Sequence, residues 1–382
     1  MVAPEGGDAT DGDARKSIRA RFRVGGRPRG HTDRSGVEPF RPSGPHARPV
    51  LTVLPGFPGR PTTYGARVQA APVDPSIPDA FLTPVGQVFR RSHLGPPPQL
   101  DAEAWTLSVE GLVDRPLRLD LPALGRLPRT DLTAFHECFG NPSHPDVPTR
   151  AVANLAWSGV PLSAVLDLAG VRPQARHIWL EGADRGAFGG EQGLAYLKDL
   201  PLDVARAEVL LADTVNGAPL PTEHGFPLRA VVPRFFGTNS VKWLTRVVLA
   251  DHRPEHLFTT RLYTRVPPGG GAARPVREVE VNSRLVGARD GDAVPAGPFQ
   301  VTGRAWGFDP VVAVEVAVDD DGWRPARLES RGPQPVWQRF TLPCALAPGR
   351  HLIRCRATDA RGRVQPPGGA RNAVHGIEVV AR

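Results

Sequence analysis

The sequence predicts an α+β domain followed by an all-β sandwich, with a basic tail in front. Three observations carry this. Gly and Pro number 41 and 43 in 382 residues, a richness that favours strands and turns over helix bundles. Between residues 105 and 250, alternating apolar runs are mixed with a stretch of helical spacing. After residue 275 the texture changes to short alternating runs separated by turns, the spacing of a sandwich of about 100 residues.

Residues 1–77 read as a disordered basic tail. The first fifty hold ten Arg or Lys against six Asp or Glu, half of the net +8, with few large apolar side chains. Such a tail invites a nucleic-acid reading; a solvated extension explains it more simply, and no nucleic-acid partner is expected. The mixed domain spans 78–260. WTLSVEGLV (105–113) alternates and reads as a strand, and LDLPALGRL as a short helix entered through a proline. LTAFHECFG (132–140) is a strand running into a Gly-Asn turn, and VPLSAVLDLAGV (160–171) is a helix ending at a glycine. HIWLEGAD (177–184) is a strand, LKDLPLDVARAE carries a short helix, and Asn216-Gly217 marks a hairpin. FPLRAVVPRFFG and SVKWLTRVVLAD are further strands. Residues 261–275, containing VPPGGGAARP, are a linker by composition, and 276–382 are the sandwich.

Composition excludes several classes. No run approaches the roughly 18 apolar residues of a membrane span, so no membrane partner is expected. Three cysteines cannot form a disulfide framework, and VLTVLPGFPG is too short and proline-broken for a signal-peptide core. A cytoplasmic location with reduced thiols is the expectation. Arg supplies 44 of the 47 basic residues, and lysine stands only at 16, 198 and 242. A lysine kept inside a motif hints at work that a planar guanidinium does not do.

Three segments could carry chemistry. Cys138 ends a strand in HECFGN; a thiolate is a soft metal ligand and a strong nucleophile, although a lone cysteine is more often a small buried hydrophobe. Residues 219–244 place His224, Arg229, Ser240 and Lys242 around two strands. Imidazole, guanidinium, hydroxyl and ammonium at strand ends make an anion cradle, suited to a cofactor phosphate; ordinary polar strand ends fit the pattern equally well. FRRSH (89–93) adds two arginines and a histidine. No GxSxG, GxxxxGK[ST] or HExxH is present.

Together these segments resemble the sulfite oxidase family of molybdenum enzymes over roughly residues 81–382. The motifs are Cys138-Phe139-Gly140-Asn141, Asn154 with Trp157-x-Gly159-Val160-x-Leu162, and VNGAPLPTEHGFPLRAVVP followed by SVKWLTRV. The run from VNSRLVG to VAVDDDGW resembles the family's immunoglobulin-like dimerisation domain. The resemblance implies a sulfite-oxidase-type molybdopterin-binding domain and a molybdenum–molybdopterin cofactor whose metal takes the Cys138 thiolate. His93, Asp184, His224, Arg229, Ser240, Val241 and Lys242 would bind the pterin and its phosphate. Tyr196, five residues before Pro201, matches the active-site tyrosine, and Arg91 the substrate-side arginine. It implies two-electron oxygen-atom transfer to or from a small sulfur or nitrogen oxyanion or oxide, in a homodimer. No haem-binding segment like that of the animal enzymes is seen, so a separate electron-transfer partner is expected. One departure stands out. Pro142 and Ser143 replace the two arginines that follow the motif in sulfite oxidases, which removes a cation from a dianion pocket and disfavours sulfite. A pocket so altered, binding the cofactor with little sulfite turnover, is the alternative; Arg91, His136 and His144 are the cations left nearby. Glu137 points away from Cys138 if the strand is regular, in a structural role.

Overall fold

The computed structural model describes residues 80–141, 151–267, 269–330 and 332–382; the expected basic tail, Pro142, Ser143 and His144 lie outside them. In chain order the first half comprises β1 (Leu107–Gly111), β2 (Leu117–Leu119), α1 (Leu121–Gly125), β3 (Thr130–Glu137), β4 (Val152–Pro161), α2 (Leu162–Ala169), β5 (His177–Phe188), β6 (Glu191–Pro201), α3 (Leu202–Glu208), β7 (Leu210–Val215), β8 (Ala218–Pro219), β9 (Arg229–Val231) and β10 (Leu244–Ala250). One sheet runs β2-β1-β10-β5-β6, with β1 and β10 parallel; a second runs β3-β4-β7-β8, and β9 adds to β7.

Local chemistry explains these elements. In β1, Leu107 and Val109 alternate into the core. The Asp120 carboxylate caps α1 by accepting from the Ala123 N–H at 2.7 Å. Leu162, Val165, Leu166 and Ala169 line the buried side of α2, which stops at Gly170 in the left-handed region (φ 69°). Asn216 (φ 48°) and Gly217 (φ 78°) both take positive φ, so the β7–β8 hairpin turns as its dipeptide predicts. LKDLPLDVARAE carries the expected short helix in its second part. Residues 197–201 belong to β6, where Tyr196 also lies, and α3 begins only after Pro201, because β6 pairs with β5 up to Pro201 itself.

The second half contains β11 (Thr264–Arg265), β12 (Arg274–Pro275), β13 (Asn282–Val286), β14 (Ala293–Val294), β15 (Gly297–Trp306), β16 (Val311–Val318), β17 (Arg324–Pro325), β18 (Arg327–Leu328), β19 (Gln338–Leu346), β20 (Gly349–Asp359) and β21 (His375–Ala381). Residues 261–275, expected as a linker, include the antiparallel β11–β12 ladder. Two sheets, β13-β15-β19-β18 and β14-β21-β20-β16-β17, face each other. Val301 and Phe340 from the first share one core with Val316, Cys355 and Val379 from the second.

A separate cluster joins this sandwich to β3. Phe135 packs with Phe236, Val276, Val279, Trp306 and Trp337. Burial of one large apolar side chain is worth roughly 1.5–3 kcal/mol, so this seam anchors the end of β3 firmly. Among the described residues, no helix is long and apolar enough to cross a membrane.

Candidate active site

Strand β3 delivers Cys138. The chain turns immediately after it, with the Asn141 N–H bonded to the Cys138 carbonyl at 3.0 Å. The buried Asn141 side chain then closes the neck of the loop. Its Oδ1 accepts from the Ala151 N–H (3.0 Å) and its Nδ2 donates to Glu137 Oε1 (3.2 Å). A short neutral carboxamide can do both at once, which explains this residue type here. Glu137 is fully buried. It accepts from Trp306 Nε1 at 2.8 Å and faces the Arg371 guanidinium at 3.5 Å, both on the sandwich. Burial pushes its carboxyl up to about 7, against the Arg371 charge and the Trp306 and Asn141 hydrogen bonds.

Cys138 borders a cavity of about 290 Å³. Burial pushes its thiol up; the Gly140 N–H, then the charges of Arg91 and Arg371, pull the other way. A metal would displace the thiol proton and bind the sulfur as thiolate. Among the described residues, no three His, Cys, Asp or Glu side chains gather as a metal site.

The 224–242 stretch forms another wall of the same cavity, with His224, Arg229, Ser240 and Lys242. Gly225 makes the turn behind His224 with φ 115°; a Cβ there would lie 3.1 Å from Arg229 Cβ and 3.2 Å from Lys242 Cβ. Arg229 donates to the His224 carbonyl at 2.8 Å, and its guanidinium lies 4.9 Å from the Trp157 ring centre. Ser240 Oγ accepts from the Val232 N–H at 3.0 Å, which leaves its own proton for a ligand. Lys242 donates to the Glu223 carbonyl at 3.0 Å and sits 4.0 Å from the Trp243 ring centre.

These cations are buried with little opposing charge. Burial, then neighbouring Arg229 and Lys242, pushes His224 down to about 4. Burial, then Arg229, pushes Lys242 down to about 7, and burial alone lowers Arg229 to about 9. Asp184, on β5, is pushed up to about 6 by burial. Arg229 Nε and Asp184 Oδ1 are both buried without a hydrogen-bond partner. Such orphaned groups beside a cavity call for a ligand with an anionic end and polar N–H edges. A pterin phosphate with a dithiolene-held metal matches that donor set: a thiol, a cluster of cations and a carboxylate around one cavity.

Arg91, His93 and Tyr196 also line the cavity. His93 stacks on Tyr196 with ring centres 5.3 Å apart, and its Nε2 lies 2.5 Å from the Tyr263 hydroxyl. Burial, then Arg91 and Lys242, pushes His93 down to about 3, so its imidazole is neutral. Tyr196 donates to the Thr238 carbonyl at 2.8 Å. Val241 is the exception among the expected residues. It is not among the residues that line the cavity: its side chain is fully buried in the core, and its carbonyl accepts from the Ala230 N–H. His136 lines the cavity and stacks on Phe89 with centres 5.6 Å apart.

Sequence reasoning missed Thr238, Tyr263 and Arg371. Tyr263 falls in the expected linker, and Thr238 carries no motif. Arg371 lies 230 positions from Asn141, yet it donates to the Asn141 and Phe139 carbonyls and to Glu280. Those three bonds use it to steady the cysteine loop.

Comparison with known proteins agrees with this site. Residues 93–258 match the oxidoreductase molybdopterin binding domain. The chain is 32% identical to sulfite oxidase of Gallus gallus over 85% of this chain and 77% of that protein. It is 31% identical to mitochondrial sulfite oxidase of Homo sapiens over 78% of this chain, but spans only 59% of that protein's length. The sulfane dehydrogenase SoxCD of Paracoccus pantotrophus superposes with a TM-score of 0.69 at 28% identity, covering 81% of this chain and 85% of that one. With the thiol, the cation cradle and these similarities in agreement, the chain belongs to the sulfite oxidase family of molybdopterin-binding oxidoreductases.

Proposed function

We propose that this protein carries out two-electron oxygen-atom transfer to or from a small sulfur or nitrogen oxyanion or oxide. The observation that carries the reading is one cavity lined by both Cys138 and Arg229, whose Nε is buried without a hydrogen-bond partner. Bound there, the cofactor would supply a metal that takes up and releases an electron pair together with an oxygen atom. His224, Arg229, Ser240 and Lys242 would hold its phosphate, and Asp184 its N–H edge. Cys138 would hold the metal as thiolate. Arg91 would draw the anionic substrate in, and the Tyr196 hydroxyl would orient an oxygen of it. In the sulfite direction, one water oxygen joins sulfur and two protons and two electrons leave. The relatives' names, sulfite oxidase and sulfane dehydrogenase, support a sulfur substrate. The same proposal takes the sandwich as an immunoglobulin-like dimerisation domain over 276–382, places the protein in the cytoplasm and passes electrons through a separate partner.

The test is direct. Protein from molybdate-grown cells should carry about one molybdenum per chain by mass spectrometry, and Cys138→Ser should carry far less. Sulfite with ferricyanide, and a sulfoxide or nitrate with a reduced viologen dye, should reveal turnover of at least one. Metal-free wild type, or loaded wild type inert with all three, would defeat the proposal.

A further inference from the structure

His136 stands on β3 two residues before Cys138, and an extended chain sends side chains at that spacing to the same side. The packing agrees. Ala134 and Cys138 share one apolar cluster, whereas Phe135 belongs to another. His136 therefore shares the cavity with Cys138 and lines it.

The ring has a fitted place. Phe89 stacks on it with the ring planes 12° apart, and Trp157 meets it at a steep angle with centres 6.1 Å apart. Directly opposite on β4 stands the small Ala153. Gly237 makes room as well: a Cβ there would lie 2.9 Å from His136 Nε2 and 3.2 Å from Cε1. The φ of Gly237 is not positive, so space and not backbone conformation calls for a glycine at this position. So apolar a nest would suit leucine or phenylalanine equally. His136 brings two ring nitrogens instead. Among the described residues neither has a hydrogen-bond partner, although the residue is only 7% exposed. A polar edge buried in this way calls for a ligand.

The neighbours show which ligand fits. The Trp157 ring that touches His136 also carries the Arg229 guanidinium, 4.9 Å from its centre, and Arg229 Nε is likewise buried without a partner. The turn Gly237–Asn239, against which Nε2 packs, leads directly to Ser240, whose hydroxyl proton is uncommitted. In either protonation state an imidazole has at least one N–H to give. We propose that His136 is a further cofactor-binding residue, whose ring N–H donates to an oxygen of the phosphate that Arg229 and Ser240 hold. His136 thereby serves the cofactor and does not stand in for the substrate-side cations absent at 142 and 143.

The proposal rests on the oxidoreductase reading above, and its test separates the two. The probe is inorganic phosphate, added to cofactor-free protein at neutral pH. In wild type, nitrogen-15 NMR should show the His136 ring resonances, assigned with His136→Gln, moving as phosphate saturates. His136→Phe keeps the stacking and loses the donor; by calorimetry it should bind phosphate about tenfold more weakly or worse, the size of a lost hydrogen bond to a charged group. His136→Gln keeps an N–H and should stay within about threefold of wild type. Protein purified from molybdate-grown cells should lose pterin on gel filtration faster as His136→Phe than as His136→Gln. His136 resonances that ignore phosphate, wild type that binds none, or equal affinity in wild type and His136→Phe overturn the proposal. Should a variant fail to fold, the wild-type spectra still decide, with the remaining variant supplying the assignment. Wild type that binds phosphate at His136 yet carries no molybdenum defeats the functional reading alone.

Discussion

The Glu137 carboxylate, one residue before the cysteine, accepts a 2.8 Å hydrogen bond from the Trp306 indole on the sandwich. The cavity wall in one half of the chain is therefore held from the other half. Arg371 strengthens the link, with its guanidinium 4.3 Å from the Phe236 ring centre and its N–H groups on the loop carbonyls.

Arg371→Met should therefore destabilise more than a surface substitution would. It strips the buried Glu137 carboxyl of its cation and leaves two carbonyls short of a donor, a loss of about 3–5 kcal/mol. Urea unfolding of the cofactor-free protein measures this. A loss below about 1 kcal/mol would show that the loop does not need the sandwich.

Asn141→Ala opens the loop neck. The Ala151 N–H loses its partner and Glu137 Oε1 keeps only Arg371, in buried surroundings, at a cost of about 1–3 kcal/mol. Limited proteolysis should cut within residues 142–150 faster in this variant. Equal cutting rates would contradict the stapling role.

Gly225→Ala places a methyl group 3.1 Å from Arg229 Cβ and forces a positive φ on an L side chain. Roughly 1–3 kcal/mol of backbone strain is expected. Because Arg229 and Lys242 are the neighbours displaced, pterin retention during gel filtration should fall as well. Full retention would mean that the cradle tolerates the shift.

Lys242 yields a pH prediction. Its folded-state value, about 7, lies below the ordinary 10.5. Between those values the unfolded chain binds more protons, so stability rises as pH climbs from about 7 to 10.5. Lys242→Met lacks that titration. The Tm of cofactor-free wild type should gain on the variant from pH 7 to pH 10, and a parallel pair of curves would refute the burial of this ammonium. Inorganic phosphate at pH 7 should stabilise wild type more than Lys242→Met.

Much of this protein is written locally. Strand alternation, the Asn216-Gly217 turn, the glycine stop of α2 and the order His224, Arg229, Ser240, Lys242 all depend on residues close along the chain, where spacing alone fixes which side a group faces. LKDLPLDVARAE holds the short helix its sequence predicts, but only from Leu202, because pairing with β5 keeps its first five residues in β6. Tyr263 and Arg371 carried no sequence signal, since each acquires its meaning from partners more than a hundred positions away. Sequence by itself determined the elements, the thiol and the cation cradle. Only the tertiary structure decided what presses on them, because long-range contacts are chosen by packing and by the need to satisfy buried charge.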